Sequence, residues 1–165
     1  MHETQADLER LQALLDESHG SMGEHMRGIL TPERRLNARE LADILQGMRL
    51  LSLATVTAAG EPRVGPVDSF FYRGRFWFGS APESVRFRHI RQRPAVSAVH
   101  LDGEQLGVTV HGTAALIDFD APEHAGLRDL LLENYGPTWE EWGAPAQYAR
   151  IDAKRMYTYF MREGE

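Results

Sequence analysis

Residues 50–72 read LLSLATVTAAGEPRVGPVDSFFY, and the fold class follows from this stretch. Leu50–Thr57 is rich in apolar and β-branched residues, as in a buried strand. Ala58–Pro62 carries the glycine and proline of a tight turn, and Arg63–Tyr72 returns as a second strand. The stretch therefore predicts an antiparallel β-hairpin.

Strand patterns continue after this hairpin. Turn signals at Arg73-Gly74 and Asp102-Gly103 separate further strands. These strands are predicted at Arg75–Phe78, Ala95–Leu101, Gly107–Ile117 and Tyr148–Met161. A helix-like segment, Ala81–Arg93, interrupts them before Pro94. Five or six strands joined mostly by short turns predict a mainly β fold, a small antiparallel barrel with peripheral helices.

Helical spacing dominates the chain before the hairpin. Leu8, Leu11 and Leu15 form one apolar stripe, and Asn37 with Glu40 has the spacing of a capping box ahead of a second helix, whose face is Leu41, Ile44, Leu45 and Met48. Another helix is predicted over residues 122–135, up to Gly136-Pro137. We therefore divide the chain into a helical extension (1–46) and a barrel (47–165) that together form one structural domain.

Composition excludes several classes of protein. The 165 residues contain no cysteine, which rules out disulfides, thiolate metal sites and a thiol nucleophile. No apolar run approaches the roughly 20 residues of a membrane helix, and the acidic, polar amino terminus is unlike a secretory signal. The net charge of −6 disfavours binding to nucleic acid. We predict a cytoplasmic protein with neither a membrane nor a nucleic-acid partner.

The positive charge is concentrated in one segment. Residues 62–93 contain seven arginines against Asp68 and Glu83, a net charge of +5 that leaves −11 for the rest of the chain. A basic island on an acidic protein suits a small anionic ligand, although a solvated arginine-rich helix face has the same composition.

The stretch Phe78–Arg86 is the candidate anion site. The pattern predicts that a strand ends there and that a helix begins at Ser80, with its unpaired N–H groups available to a phosphate. Ser84 and Arg86 add a hydroxyl and a guanidinium, and Arg63 is close enough in the hairpin to contribute. Ser80-x-x-Glu83 is also an ordinary capping box, so phosphate binding and simple capping both remain open.

Histidines and tryptophans carry weaker signals. His100 and His111 would approach each other if neighbouring strands aligned them, but packed histidines are more common than ligands, and we predict no metal site. Trp139 and Trp142 fall in a predicted loop. They would cover a planar ligand, contact a second subunit or, as we favour, pack within the chain. No esterase or nucleotide-binding loop motif is present.

The order of these segments resembles the FMN-binding split β-barrel superfamily that includes pyridoxamine 5′-phosphate oxidase. The resemblance extends over residues 50–118 and rests on several short motifs in the right order. These are Leu53–Val56, Gly60–Val67, Phe76–Ser80, Ser84–Ile90, Arg93–Ser97 and Val110–Ala114.

The resemblance implies a six-stranded Greek-key split barrel that forms a homodimer with two flavins at the subunit interface. It implies FMN as cofactor, with Ser80, Ser84, Val85 and Arg86 at the phosphate. It also implies that the strand of Gly65, Pro66, Val67 and Asp68 runs along the isoalloxazine ring, with Arg63 as a further candidate for tuning the ring. No catalytic acid or base is implied.

Departures from the family pattern limit the functional expectation. The tail Arg155–Phe160 lacks the R-L-H-x-R-like signature of true pyridoxamine phosphate oxidases, so that activity is not expected. We expect an FMN-dependent oxidoreductase that transfers a hydride through flavin N5 to a small substrate. Since Ser80–Arg86 also resembles the branch that binds the deazaflavin coenzyme F-420, an F-420-dependent reductase is the alternative. A non-catalytic flavin or haem carrier or sensor is the second alternative.

Overall fold

Six antiparallel strands close into a barrel in the part of the chain that the structure describes. The structure is a computed structural model, and it describes residues 2–143 and 146–162 without the side chain of Trp142. The strands are β1 (Met48–Val56), β2 (Pro62–Tyr72), β3 (Arg75–Ser80), β4 (Ala95–Asp102), β5 (Leu106–Ile117) and β6 (Gln147–Phe160). They are ordered β1-β2-β3-β6-β5-β4, and β4 pairs back to β1. The predicted six-stranded, mainly β barrel is confirmed.

Helices surround this barrel. They are α1 (Gln5–Gly20), α2 (Glu24–Ile29), α3 (Ala38–Ile44), α4 (Val85–Gln92), α5 (Ala125–Tyr135) and α6 (Trp139–Gly143). The predicted capping box of Asn37 and Glu40 starts α3. Met48 does not extend the apolar face of that helix as predicted. It is the first residue of β1, because Gly47 turns the chain with a φ of 77°.

Apolar side chains form two separate clusters. The larger cluster fills the barrel and joins it to α1 and α3, with Leu15, Leu41 and Phe76 fully buried. One apolar cluster therefore spans the proposed boundary at residue 47, and the boundary itself stays a prediction. The smaller cluster lies outside the barrel, where α5 and α6 cover Phe70 and Trp77.

The two clusters follow from strand alternation. Phe71 points into the barrel, and its neighbour Phe70 points out toward α5, because successive side chains of a strand face opposite sides. The aromatic run in β2 and β3 is therefore buried on both faces of the sheet. None of the described helices combines the length and apolar character needed to cross a bilayer.

The predicted helix start at Ser80 is wrong. Ser80 pairs with Gln147 as the last residue of β3, so its side chain caps nothing. A turn follows, closed by the Ser84 N–H donating to the Ala81 carbonyl, and α4 begins only at Val85. Sheet pairing with β6 outweighs the local capping signal at this position.

Candidate functional site

Helix α4 is held against one end of the barrel. The Phe87 ring stacks on Phe78 with centroids 5.9 Å apart, and Ile90 is buried in the same core. On the neighbouring side, the Thr55 hydroxyl hydrogen-bonds to Nδ1 of His89 at 2.9 Å. These contacts fix the helix with its amino-terminal end beside β2.

This end of α4 has a buried polar atom without a partner among the residues that the structure describes. Ser84 occupies the N-cap position, yet its side chain makes no capping hydrogen bond. Its Oγ is buried and has no hydrogen-bond partner among the described residues. Since the first-turn N–H groups of a helix also lack intrahelical acceptors, this end combines several unused donors.

Arg86 brings a positive charge to the same end. Its Nη2 donates to the Pro66 carbonyl of β2 at 2.9 Å, and no described carboxylate pairs with it. Burial lowers the pKa of Arg86 from its ordinary value, but that value is so high that the guanidinium is still charged at neutral pH. An anion placed here would meet a desolvated guanidinium, a hydroxyl and backbone N–H groups.

Strand β2 supplies backbone next to this site. A Cβ on Gly65 would lie 3.7 Å from Nη2 of Arg86, an ordinary contact distance, so the guanidinium lies close to this part of the strand. Val67 points into the core, and its side chain is therefore unavailable to a ligand outside the barrel. Arg63 is exposed and bonded to Glu61 at 2.7 Å, which offsets part of its charge. Val85 is exposed at the start of α4.

A cavity of about 330 Å³ lies on the outer face of the barrel beside Asp68 and Ser80. The backbone of β2 and β3 forms its floor, and α5 and α6 form its cover. Leu127, Leu131 and Tyr135 line it from α5, and Trp139 lines it from α6. The segment between β5 and β6 therefore covers this cavity.

Aromatic rings form much of the cavity wall. The Tyr148 ring packs directly against Gly79 of β3, where an added Cβ would come within 2.6 Å of the ring. Trp139 is buried and packs edge-on against Tyr148, with centroids 6.4 Å apart. Phe70 meets the Tyr135 ring edge-on at 5.6 Å. Burial raises the pKa of Tyr148 to about 12, so the phenol is neutral.

Asp68 is the charged residue in this lining. The Tyr135 hydroxyl donates to Oδ2 of Asp68 at 3.4 Å. Burial, and then the charge of Asp68, raises the pKa of Tyr135 to about 12, so this phenol keeps its proton at neutral pH. The carboxylate is left with further acceptor positions for a ligand.

The structure groups the predicted site residues into two neighbouring places. The first place, which we call the α4 anion site, consists of Gly65, Pro66, Ser84, Val85 and Arg86. The second, which we call the α5 pocket, is lined by Asp68 and Ser80 among other residues. Arg63 lies at the start of β2, bonded to Glu61.

His100 and His111 are not brought together. His100 faces the barrel interior and hydrogen-bonds to the Leu50 carbonyl, whereas His111 faces outward and hydrogen-bonds to Ser97. The predicted approach of these two histidines is wrong, since they lie on opposite faces. Within residues 2–143 and 146–162, no group of three or more His, Cys, Asp or Glu side chains is arranged to hold a metal ion.

Sequence reasoning missed the α5 contribution to the pocket. Leu127 and Leu131 indicated only a helix, and Tyr135 carried no motif. Trp139, placed in a predicted loop, belongs to the short helix α6, and its packing role is confirmed by its burial. The Trp142 side chain lies outside the described part of the structure. The aromatic density of residues 135–148 was the one available signal.

Comparisons with known proteins agree with this architecture. The sequence model of the pyridoxamine 5′-phosphate oxidase family matches residues 38–160. No curated protein sequence matches the chain significantly. An FAD-binding protein from Mesorhizobium loti is 22% identical, with a TM-score of 0.60 over 78% of this chain and 98% of that one.

Two further solved structures share the fold and differ in the ligand that their names give. HutZ, the haem storage protein from Vibrio cholerae, is 17% identical, with a TM-score of 0.61 over 79% of this chain and 94% of that one. An F420 reductase is 20% identical, with a TM-score of 0.54 over 69% of this chain and 93% of that one. At these identities the likeness establishes the barrel fold alone.

Proposed function

The chain belongs to the pyridoxamine 5′-phosphate oxidase family, and from this premise we propose that it is an FMN-dependent oxidoreductase. The observation that carries the proposal is the buried, unpartnered Ser84 Oγ beside Arg86 at the start of α4. A buried polar atom without a partner is uncommon in a folded protein unless a ligand or water supplies one. A phosphate group would satisfy it.

The residues of the α4 anion site fit a phosphate. The Ser84 hydroxyl and the first-turn N–H groups of α4 would donate to its oxygens, and the Arg86 guanidinium would add a charge-assisted contact. The hydrogen bond from Arg86 to the Pro66 carbonyl already orients the guanidinium before any ligand arrives. Less conformational entropy is then lost on binding.

Strand β2 would hold the ring system of the cofactor through its backbone. Gly65 and Pro66 present an uncluttered surface, and the Val67 side chain is turned into the core. A bound flavin supplies the hydride-transfer chemistry through its N5, while the protein supplies binding and orientation. Hydride transfer through a bound flavin needs no side-chain nucleophile.

We also propose that the protein is a homodimer with the cofactor at the subunit interface. The outer face of β1, β2 and β4 exposes Leu50, Val64 and Leu101, with Val64 69% and Leu101 64% accessible. Ser52 pairs with Val99, and both leucines lie two residues beyond that pair, so they share one side of the sheet. This apolar face adjoins the α4 anion site through Val64 and Pro66. A Leu101→Glu variant would be monomeric by light scattering and would bind FMN weakly.

A deazaflavin is the second candidate cofactor, favoured by the F420 reductase among the structural neighbours. Its longer anionic tail would use Arg88, which is exposed on α4, in addition to Arg86 and Arg63. A non-catalytic carrier is the remaining alternative, since the neighbour HutZ is named for haem storage. It predicts ligand binding without turnover by NAD(P)H.

Fluorescence titration of the purified protein with FMN, and separately with F-420, tests the proposal. We expect micromolar FMN binding that weakens with salt and falls by about tenfold or more in Arg86→Ala, because a charge-assisted hydrogen bond is lost. Arg88→Ala should leave FMN affinity unchanged and weaken only F-420. Arg27→Ala, on α2, serves as the control for loss of a distant positive charge.

Tight binding of F-420 with weak binding of FMN would shift the assignment to the deazaflavin. If the folded protein binds neither, the family fold is present without this function. Reduction of bound FMN by NAD(P)H, followed by absorbance, separates the oxidoreductase from the carrier.

A further inference from the structure

The α5 pocket contains chemistry that phosphate binding does not use. Its wall brings together aromatic rings from five positions and one carboxylate. The rings are those of Phe70, Trp77, Tyr135, Trp139 and Tyr148. An aromatic wall with a few placed polar groups is the usual composition of a small-molecule site.

Both components of this wall favour positive charge. The face of an aromatic ring carries negative electrostatic potential and attracts ammonium and guanidinium groups. The structure already shows this preference on the far side of the wall, where the Arg150 guanidinium lies 5.9 Å from the centre of the Trp77 ring. Asp68 adds a full negative charge, and the Tyr135 hydroxyl holds one of its oxygens.

Two neighbouring basic residues are directed to other partners. Arg128, at the adjoining surface, is bonded to Glu140 at 2.6 Å and lies 3.5 Å from Asp120. Arg86 is directed to the Pro66 carbonyl in the α4 anion site. Among the residues that line the α5 pocket, Asp68 is the one with a formal charge.

We propose that the α5 pocket binds the substrate and that this substrate is a small organic cation, an ammonium or protonated ring nitrogen on an apolar body. The role of this cation as a substrate rests on the proposed oxidoreductase function, whereas the preference for a cation rests on the pocket alone. Asp68 would bind the charged nitrogen, and the aromatic wall would bind the apolar body. Tyr135 is a positioning residue for the Asp68 carboxylate.

The same geometry disfavours other ligand classes. A phosphate ester or carboxylate would place its charge beside Asp68, and like charges repel. A neutral aromatic molecule would fill the cavity but would gain no attraction from the carboxylate. This disagreement with a phosphorylated substrate is consistent with the absence of the pyridoxamine phosphate oxidase signature in residues 155–160.

Three probes that share one ring and differ in charge test the proposal: tryptamine, indole-3-ethanol and indole-3-acetate. Isothermal titration calorimetry on the full-length protein without added cofactor should give tryptamine about tenfold higher affinity than indole-3-ethanol, with indole-3-acetate weakest. Asp68→Asn should remove that preference and leave indole-3-ethanol unchanged. Asp102→Asn, the same change at an exposed residue outside the pocket, should keep it.

The inference is overturned if the three probes bind equally, if none binds, if the acid binds best, or if tryptamine keeps its advantage in Asp68→Asn. FMN titration of the same preparations separates this result from the proposed function. Normal FMN binding with no charge preference rejects the cation pocket alone. An Asp68-dependent tryptamine preference without FMN or F-420 binding supports the pocket and rejects the cofactor proposal.

Discussion

The α4 anion site and the α5 pocket adjoin each other, and they present side chains of opposite charge. Arg86 lies over the Pro66 carbonyl, and only two residues further along β2 the Asp68 carboxylate faces the pocket. The first site offers backbone donors and a guanidinium, whereas the second offers aromatic rings and a carboxylate. The boundary between cation-binding and anion-binding surface therefore falls within one strand.

The difference between the sites shows how one barrel separates two binding tasks. A polar site made from a helix start needs few side chains, because backbone N–H groups do much of the binding. A selective pocket needs side chains from several elements. We therefore expect a variant in one site to change ligand affinity at that site and to leave affinity at the other site unchanged.

Charge reversal in the α4 anion site should have the largest effect. Arg86→Glu replaces the attraction for phosphate by repulsion, and FMN affinity should fall by about a hundredfold at low salt. Tryptamine binding in the α5 pocket should be unchanged or slightly tighter. Fluorescence titration measures the first and calorimetry the second.

Arg88→Glu, on the exposed side of the same helix, controls for the general change in charge. An equal loss of FMN affinity in both variants would mean that the effect is long-range electrostatics and that the contact at Ser84 and Arg86 plays no special part.

The sequence was sufficient for the strands of the barrel because strand alternation and turns are short-range patterns. The strand alternation and turns of residues 50–72 predict the hairpin, and Ser84 and Arg86 lie in one continuous stretch beside α4. The error at Ser80 also has a local cause. Ser80 and Glu83 do have the spacing of a capping box, but pairing with Gln147, 67 positions away, extends the strand to Ser80.

The α5 pocket was not predictable in the same way. The contact between Tyr135 and Asp68 joins residues 67 positions apart, and neither position carries a motif. The close contact of Tyr148 with Gly79 likewise appears only after β3 and β6 pair. The family resemblance placed Asp68 at the cofactor ring, and it contained no information on the helix that covers this residue.

The Gly79 position tests whether the pocket wall depends on close packing. Gly79→Ala would put a Cβ within 2.6 Å of the Tyr148 ring, and displacing that ring should lower the free energy of unfolding by about 2 kcal/mol. Tryptamine affinity should fall with it, because the wall moves. Urea denaturation measures the loss. Gly28→Ala, where the added Cβ meets open space, should show none.

Asp7 lies outside both sites, and its carboxylate contributes to the stability of the fold. Burial would raise its pKa, but the Thr4 backbone N–H and the Arg10 and Arg73 guanidinium groups bond to the carboxylate and hold the pKa well below its ordinary value. A lowered pKa stabilises the fold above about pH 4, and that stabilisation is lost as the pH falls further.

Asp7→Asn should therefore cost about 1 kcal/mol at pH 7 and progressively less below pH 4, with both binding sites intact. Thermal denaturation from pH 7 to pH 2.5 follows the difference. Asp16→Asn, at an exposed position of the same helix, should behave like the wild type. A gap between Asp7→Asn and wild type that widens in acid would contradict the assignment.

Tyr135→Phe should produce the smallest change and define how the pocket holds its carboxylate. The variant keeps the ring on Phe70 and removes only the hydroxyl that donates to Asp68 across 3.4 Å. Because this bond is long, its loss should weaken tryptamine by about twofold, and the preference over indole-3-ethanol should persist. FMN affinity should not change, and Tyr159→Phe on β6 is the matched control. A loss as large as that of Asp68→Asn would mean that the phenol, not the carboxylate, contacts the cation.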